Sequence, residues 1–183
     1  MPRQVYLFER PTRFVAGTVG QPGDRTFYLQ ASDGSGRTVS VALEKTQVQV
    51  LADRMNELLD EIAGRASTVI PPAADVDDLE PLSAPVDEEF RVAAMGLAWD
   101  GSAETVVVEA VAAGEEPIDE EAILSDSDEG PDALRVTITP MAARAFVARA
   151  RRVVAAGRPP CPLCSLPLDP AGHVCPRQNG YRR

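Results

Sequence analysis

Thr26-Phe27-Tyr28-Leu29-Gln30-Ala31 and Thr105-Val106-Val107-Val108-Glu109-Ala110 decide how this chain folds, because each is the middle of a pattern that occurs twice. Before them stand Phe14-Val15-Ala16-Gly17-Thr18 and Arg91-Val92-Ala93-Ala94-Met95, at an offset of 77. The quoted pair follows at an offset of 79. After them come Val39-Ser40-Val41-Ala42-Leu43 and Leu134-Arg135-Val136-Thr137-Ile138, at an offset of 95. In the last pair apolar residues alternate with small or polar ones, the period of a strand with one buried face. Val106-Val107-Val108 is β-branched throughout and suits a more fully buried strand. Gln21-Pro22-Gly23-Asp24, Asp33-Gly34-Ser35-Gly36 and Asp100-Gly101-Ser102 supply turns between runs. Val5-Tyr6-Leu7-Phe8 reads as an additional strand stopped by Arg10-Pro11.

A helix follows each third run, again at an offset of 95. Val48, Leu51, Met55, Leu58, Leu59 and Ile62 recur at three- and four-residue steps, with Asp53, Arg54, Glu57, Asp60 and Glu61 on the opposite face. In the second helix Phe146, Ala150, Val153 and Val154 take the positions of Leu51, Met55, Leu58 and Leu59. Thr139 is its expected N-cap, Pro140 its first helical residue, and Gly157 with Pro159-Pro160 its stop. Its polar face is Arg144, Arg149, Arg151 and Arg152. The expected fold is therefore α+β: duplicated βββα units forming an antiparallel sheet system with two packed helices. Residues 1–70 form the first unit. Residues 71–89 are an acidic, Pro-bearing linker expected to be partly mobile. Residues 90–157 form the second unit, which carries an acidic loop at 114–132. That loop reads as solvated, as a lid for the arginine helix, or as a docking site for a basic partner.

The 183 residues suffice for a hydrophobic core without disulfides. The formal charge of −10 is unevenly spread: residues 1–139 carry −17 and residues 140–183 carry +7. The bulk charge argues against a general nucleic-acid binder and leaves the question open for the basic end. No run approaches the roughly 18 apolar residues of a membrane span. Met1-Pro2-Arg3-Gln4-Val5 has no apolar signal core, so a cytoplasmic location and no membrane partner are expected.

All three cysteines and the single histidine lie within residues 161–175, in the spacing C-x2-C-x8-H-x-C. Cys161, Cys164, His173 and Cys175 make a Cys3His set, the soft tetrahedral ligand field that zinc takes in closed structural sites. An odd number of cysteines argues against a disulfide framework. A redox C-x-x-C normally opens a helix in a thioredoxin-like fold, and an iron–sulfur cluster more often takes four cysteines. A catalytic zinc keeps an open position, which four protein ligands would close. One structural zinc is expected, ordering a basic tail over residues 158–183 whose few apolar residues could not order it alone.

Beyond the ligands, Arg177, Tyr181, Arg182 and Arg183 are available for an anion, a nucleic acid, a protein partner or the acidic body of the same chain. No phosphate-binding glycine loop is present, and the one histidine belongs to the metal set. Arg13 and Arg25 could hold an anion, and Asp24, Glu44 and Lys45 are the better-placed remaining polar residues. The leading functional expectation is a non-enzymatic, zinc-containing binding or adaptor protein with a protein partner. An enzyme or enzyme subunit acting on a phosphorylated small molecule is the alternative, and a nucleic-acid-binding regulator the third. Oligomeric state is not legible.

Several of these stretches carry a family resemblance. Arg3-Gln-Val-Tyr-Leu-Phe, Arg13-Phe-Val-Ala-Gly-Thr-Val-Gly-Gln-Pro-Gly, Val39-Ser-Val-Ala-Leu-Glu-Lys and the Cys-Pro-Leu-Cys…Gly-His-Val-Cys-Pro-Arg-Gln-Asn-Gly-Tyr-Arg-Arg ending resemble the actinobacterial family called domain of unknown function 3090. The resemblance spans nearly the whole chain. It implies a repeat protein in a phosphate-related genetic neighbourhood, and it transfers no catalytic residue.

Overall fold

The computed structural model describes residues 3–65, 69–70, 72, 78–114, 123–125, 127, 129–168 and 172–177. The elements are β1 (Val5–Glu9), β2 (Arg13–Gln21), β3 (Asp24–Ser32), β4 (Thr38–Leu43), α1 (Lys45–Arg65), β5 (Glu88–Asp100), β6 (Thr105–Ala112), β7 (Ala133–Ile138) and α2 (Pro140–Ala155). Every run assigned to a strand from its period is a strand, and both amphipathic segments are helices.

The seven strands form one sheet in the order β1-β7-β6-β5-β4-β3-β2. It is mixed, which corrects the expectation of an antiparallel system. β1 pairs with β7 and β4 with β5, both in parallel, while the remaining neighbours are antiparallel. The parallel β4–β5 pair has a physical reason: two neighbouring strands that run the same way need a crossover, and α1 lies in the connection between them.

β1 and β2 are the outermost strands on opposite edges, yet only residues 10–12 separate them. A flat sheet would hold its outer strands roughly 29 Å apart at about 4.8 Å per spacing. Four virtual bonds from Glu9 to Arg13 reach about 15 Å. The sheet is therefore strongly coiled, in the direction that strand twist accumulates. Arg37 in the β3–β4 turn confirms the approach. Its guanidinium lies 4.6 Å from the centre of the Phe8 ring on β1 and donates to the Leu7 carbonyl.

Both helices pack on the sheet, and one continuous core joins both halves of the chain. It runs from Leu29, Val41 and Met55 to Val106, Val136 and Phe146. Phe146 on α2 stacks on Phe14 of β2 at 4.7 Å. α1 begins with a capping arrangement in which the Glu44 N–H donates to Gln47 Oε1. α2 begins at Thr139, whose hydroxyl accepts from the Ala142 N–H at 3.2 Å, with Pro140 in the first turn as expected.

Among the described residues Glu109, Arg144 and Arg149 are charged and buried. Glu109 on β6 accepts from Arg3 and Arg135, each at 2.6 Å. It also accepts from the Leu124 N–H, which ties the described return of the 114–132 loop to the sheet. Residues 115–122 of that loop lie outside the described residues. Arg149 donates to the Ala16 carbonyl on β2 and takes its remaining partners from the linker. Residues 78–83 of the 71–89 segment are docked against the sheet and α2. Asp78 and Glu80 accept from Arg149, Leu82 packs over Gly17, and Ser83 exchanges hydrogen bonds with Gln30. Glu88 and Glu89 already belong to β5.

Candidate metal centre

α2 stops at Ala155, and the chain leaves through Gly157 into a short hairpin. Pro160 bridges Pro167, the Leu168 N–H donates to the Pro159 carbonyl, and the Cys161 N–H donates to the Leu166 carbonyl. Within this hairpin Cys161-Pro162-Leu163-Cys164 forms the turn. The Ser165 N–H donates to the Cys161 carbonyl, and Ser165 takes a φ of 62°, the left-handed conformation that reverses the chain. The sequence thus builds a knuckle that points both sulfurs the same way.

Cys175 returns to within 3.9 Å of Cys161, Sγ to Sγ, and His173 Nε2 stands 3.3 Å from Cys164 Sγ. The ligand atoms of all four residues lie within 4.8 Å of one another. A tetrahedral zinc with Zn–S near 2.3 Å and Zn–N near 2.0–2.1 Å separates two sulfurs by about 3.8 Å and sulfur from nitrogen by about 3.5 Å. The sulfur–sulfur separation of 3.9 Å and the sulfur–nitrogen separation of 3.3 Å lie close to those values. The cysteines are free thiols, and 3.9 Å is far beyond the roughly 2.05 Å of a disulfide. Cys161 and Cys175 are buried, while Cys164 and His173 are half-buried.

The electrostatics favour a cation. Backbone N–H groups of Cys164 and Leu163 point at the Cys161 sulfur and bring its pKa down to about 6, so the thiolate forms at neutral pH. Burial pushes the Cys164 thiol up, and the neighbouring Cys161 sulfur adds to the rise, since a second thiolate beside the first is unfavourable without a positive charge between them. The donor set, its spacing and its first deprotonated sulfur all suit a metal ion. Four protein donors fill a tetrahedral shell, which is the arrangement of a structural centre.

The arginines singled out for partner binding are divided by the fold. Arg144 is buried against α1, donating to Asn56 Oδ1 at 2.7 Å and Asp60 Oδ1 at 2.6 Å. Arg149 is buried and donates to the Ala16 carbonyl as well as to Asp78 and Glu80. These two sides of α2 face inward, so the solvent-facing arginine surface expected from the sequence is narrower. The acids that meet it belong to α1 and the linker. Arg151 is exposed and pairs with Asp53 at 2.9 Å, and Arg152 and Arg177 are exposed. Tyr181, Arg182 and Arg183 lie outside the described residues.

Arg13 is engaged as well, gripping Asp78 through Nε at 2.6 Å and Nη2 at 2.9 Å. Glu44 forms a surface pair with Arg91. Arg25 donates to the Val153 and Ala156 carbonyls at the end of α2 and lies over the Phe27 ring. Sequence reasoning missed Asp78 and Glu80 as internal partners. Their signal was an acid pair beside Leu82, an apolar anchor inside a polar stretch. Among the described residues no helix is long and apolar enough to cross a membrane.

A family model described as "Protein of unknown function (DUF3090)" matches residues 6–175, from β1 to the last cysteine of the cluster. No curated protein and no solved structure gives a significant match.

Proposed function

The chain belongs to the family described as protein of unknown function (DUF3090), and we propose that it is a non-enzymatic, cytoplasmic adaptor in which one zinc ion orders a protein-binding tail. Zinc is the metal that a closed Cys3His shell selects: thiolate and imidazole ligands, no redox chemistry, tetrahedral geometry. We read the two successions of three strands and a helix as a duplication that built the acidic body from which this tail projects.

The observation that carries the adaptor reading is the apolar surface of the knuckle. Leu163, Leu166 and Val174 are 50%, 49% and 78% exposed, and two of them immediately adjoin metal ligands. A metal-held turn that spends its ligands inward and shows its apolar side chains outward is suited to a protein partner. The protein reading stands ahead of the nucleic-acid one because Arg144 and Arg149 are spent on partners within the chain. A doubly substituted Leu163→Asp/Val174→Asp chain, with its metal content verified, tests the reading by quantitative pull-down against the wild type. Specific loss of a stoichiometric partner supports it. The same partners at the same recovery would sink it.

A further inference from the structure

At the junction of the β2–β3 turn, the start of α1, the end of α2 and the metal-held hairpin lies a cleft of about 520 Å³. Arg25, Lys45 and Arg158 line it, together with Gln49, Phe27 and Pro167. In a chain of formal charge −10, no acidic residue lines this cleft among the described residues.

Two glycines let the cations converge. A Cβ on Gly157 would stand 3.4 Å from Lys45 Nζ and 3.9 Å from Arg25 Nη2, which places both charges around one point. Gly23, at a φ of 99°, lets the Arg158 side chain lie against the backbone, with Nε 3.0 Å from where a Cβ would be. The carbonyls ending α2 account for Arg25 in part, since two of its five N–H groups serve Ala156 and Val153. They do not account for Lys45. It is the first residue of α1, whose first turn holds no acid, and a cation there opposes the helix dipole. No ion pair of Lys45 is formed among the described residues. A lysine placed against its own helix dipole and beside a second cation is rationalised by an anion seated between them.

We infer that this cleft binds the phosphate group of a small phosphomonoester. Arginine supplies a planar fork and lysine a mobile point charge, the pair of donors that a tetrahedral dianion uses. The volume exceeds that of phosphate alone, and Phe27 and Pro167 wall the space left for the organic part. The site is separate from the exposed apolar tip of the knuckle and does not depend on the adaptor reading.

Calorimetric titration of the full-length, metal-loaded chain tests it, at constant ionic strength, with inorganic phosphate, glycerol 3-phosphate and succinate. The expected result is saturable binding of both phosphates, with glycerol 3-phosphate the tighter and succinate much the weakest. Lys45→Gln and Arg158→Gln each weaken binding about tenfold or more, as expected for losing a charge-assisted contact. Lys45→Arg, which keeps the charge at an exposed position, retains it. The inference is overturned by an absence of saturable phosphate binding at millimolar concentration. Unchanged affinity in the Lys45→Gln/Arg158→Gln chain, or succinate binding as tightly as the phosphates, would overturn it equally.

Discussion

Glu109 on β6 and Arg135 on β7 face each other in register across two antiparallel strands and are joined by an ion pair of 2.6 Å whose carboxylate is fully buried. Arg3 closes on the other oxygen of the same carboxylate, so the chain's N-terminal segment and the two strands share one charge centre. Replacing Glu109 with Leu would leave two largely buried guanidinium groups without their counter-charge. The expected cost is about 3–5 kcal/mol, the range for removing one partner of a buried pair. Urea unfolding followed by circular dichroism measures it. A loss within 1 kcal/mol of zero would show that the carboxylate is not what holds the three segments together.

Asp78 holds the linker between Arg13 and Arg149. The Arg13 hydrogen bond, followed by the charges of Arg149 and Arg13, lowers its pKa against the opposing effect of burial. A carboxyl whose folded-state pKa is lowered contributes stability that is present above the usual carboxylate range. That contribution fades as pH falls below about 4 through the lowered value. Asp78→Asn is therefore expected to be less stable than the wild type at pH 7, with the gap narrowing toward pH 3. Denaturant midpoints at both pH values provide the check, and a gap independent of pH would contradict the role given to this charge.

The Thr139 hydroxyl is the only side chain that caps the start of α2 in the described structure, and Pro140 cannot donate in its place. Thr139→Ala should cost about 1 kcal/mol and Thr139→Ser should restore most of it. Thermal unfolding of the three proteins would show this order. Equal stability of the Ala and Ser variants would mean that the cap carries no energy.

The strands and helices were legible because their information is local. Val39, Val41 and Leu43 alternate, and Leu51, Met55 and Leu59 recur at helical steps, whatever the rest of the chain does. The parallel partners were not legible, since nothing within Val5–Phe8 specifies β7 over any other strand. That choice comes from the coiling of the whole sheet. The clustering of Cys161, Cys164, His173 and Cys175 was legible from spacing alone, as all four fall in one short window. The fate of the arginines was not. Arg144 and Arg151 look alike on a helical projection, and only the position of α1, with Asp60 beside one and Asp53 beside the other, decides which is buried. The convergence of Lys45, Arg25 and Arg158 joins residues from three distant segments, so sequence separation hid the cleft even though Arg25 and Lys45 stood out singly.

The central claim is that Cys161, Cys164, His173 and Cys175 hold one zinc ion that orders the end of the chain. Elemental analysis of protein purified without added metal or chelator tests it most directly, on the wild type and on Cys161→Ser/Cys175→Ser in parallel. The account predicts about one zinc per wild-type chain and almost none in the variant, because two of the four ligands are gone. A stoichiometric zinc content unchanged in the variant, or a wild-type chain that carries no zinc, would contradict it.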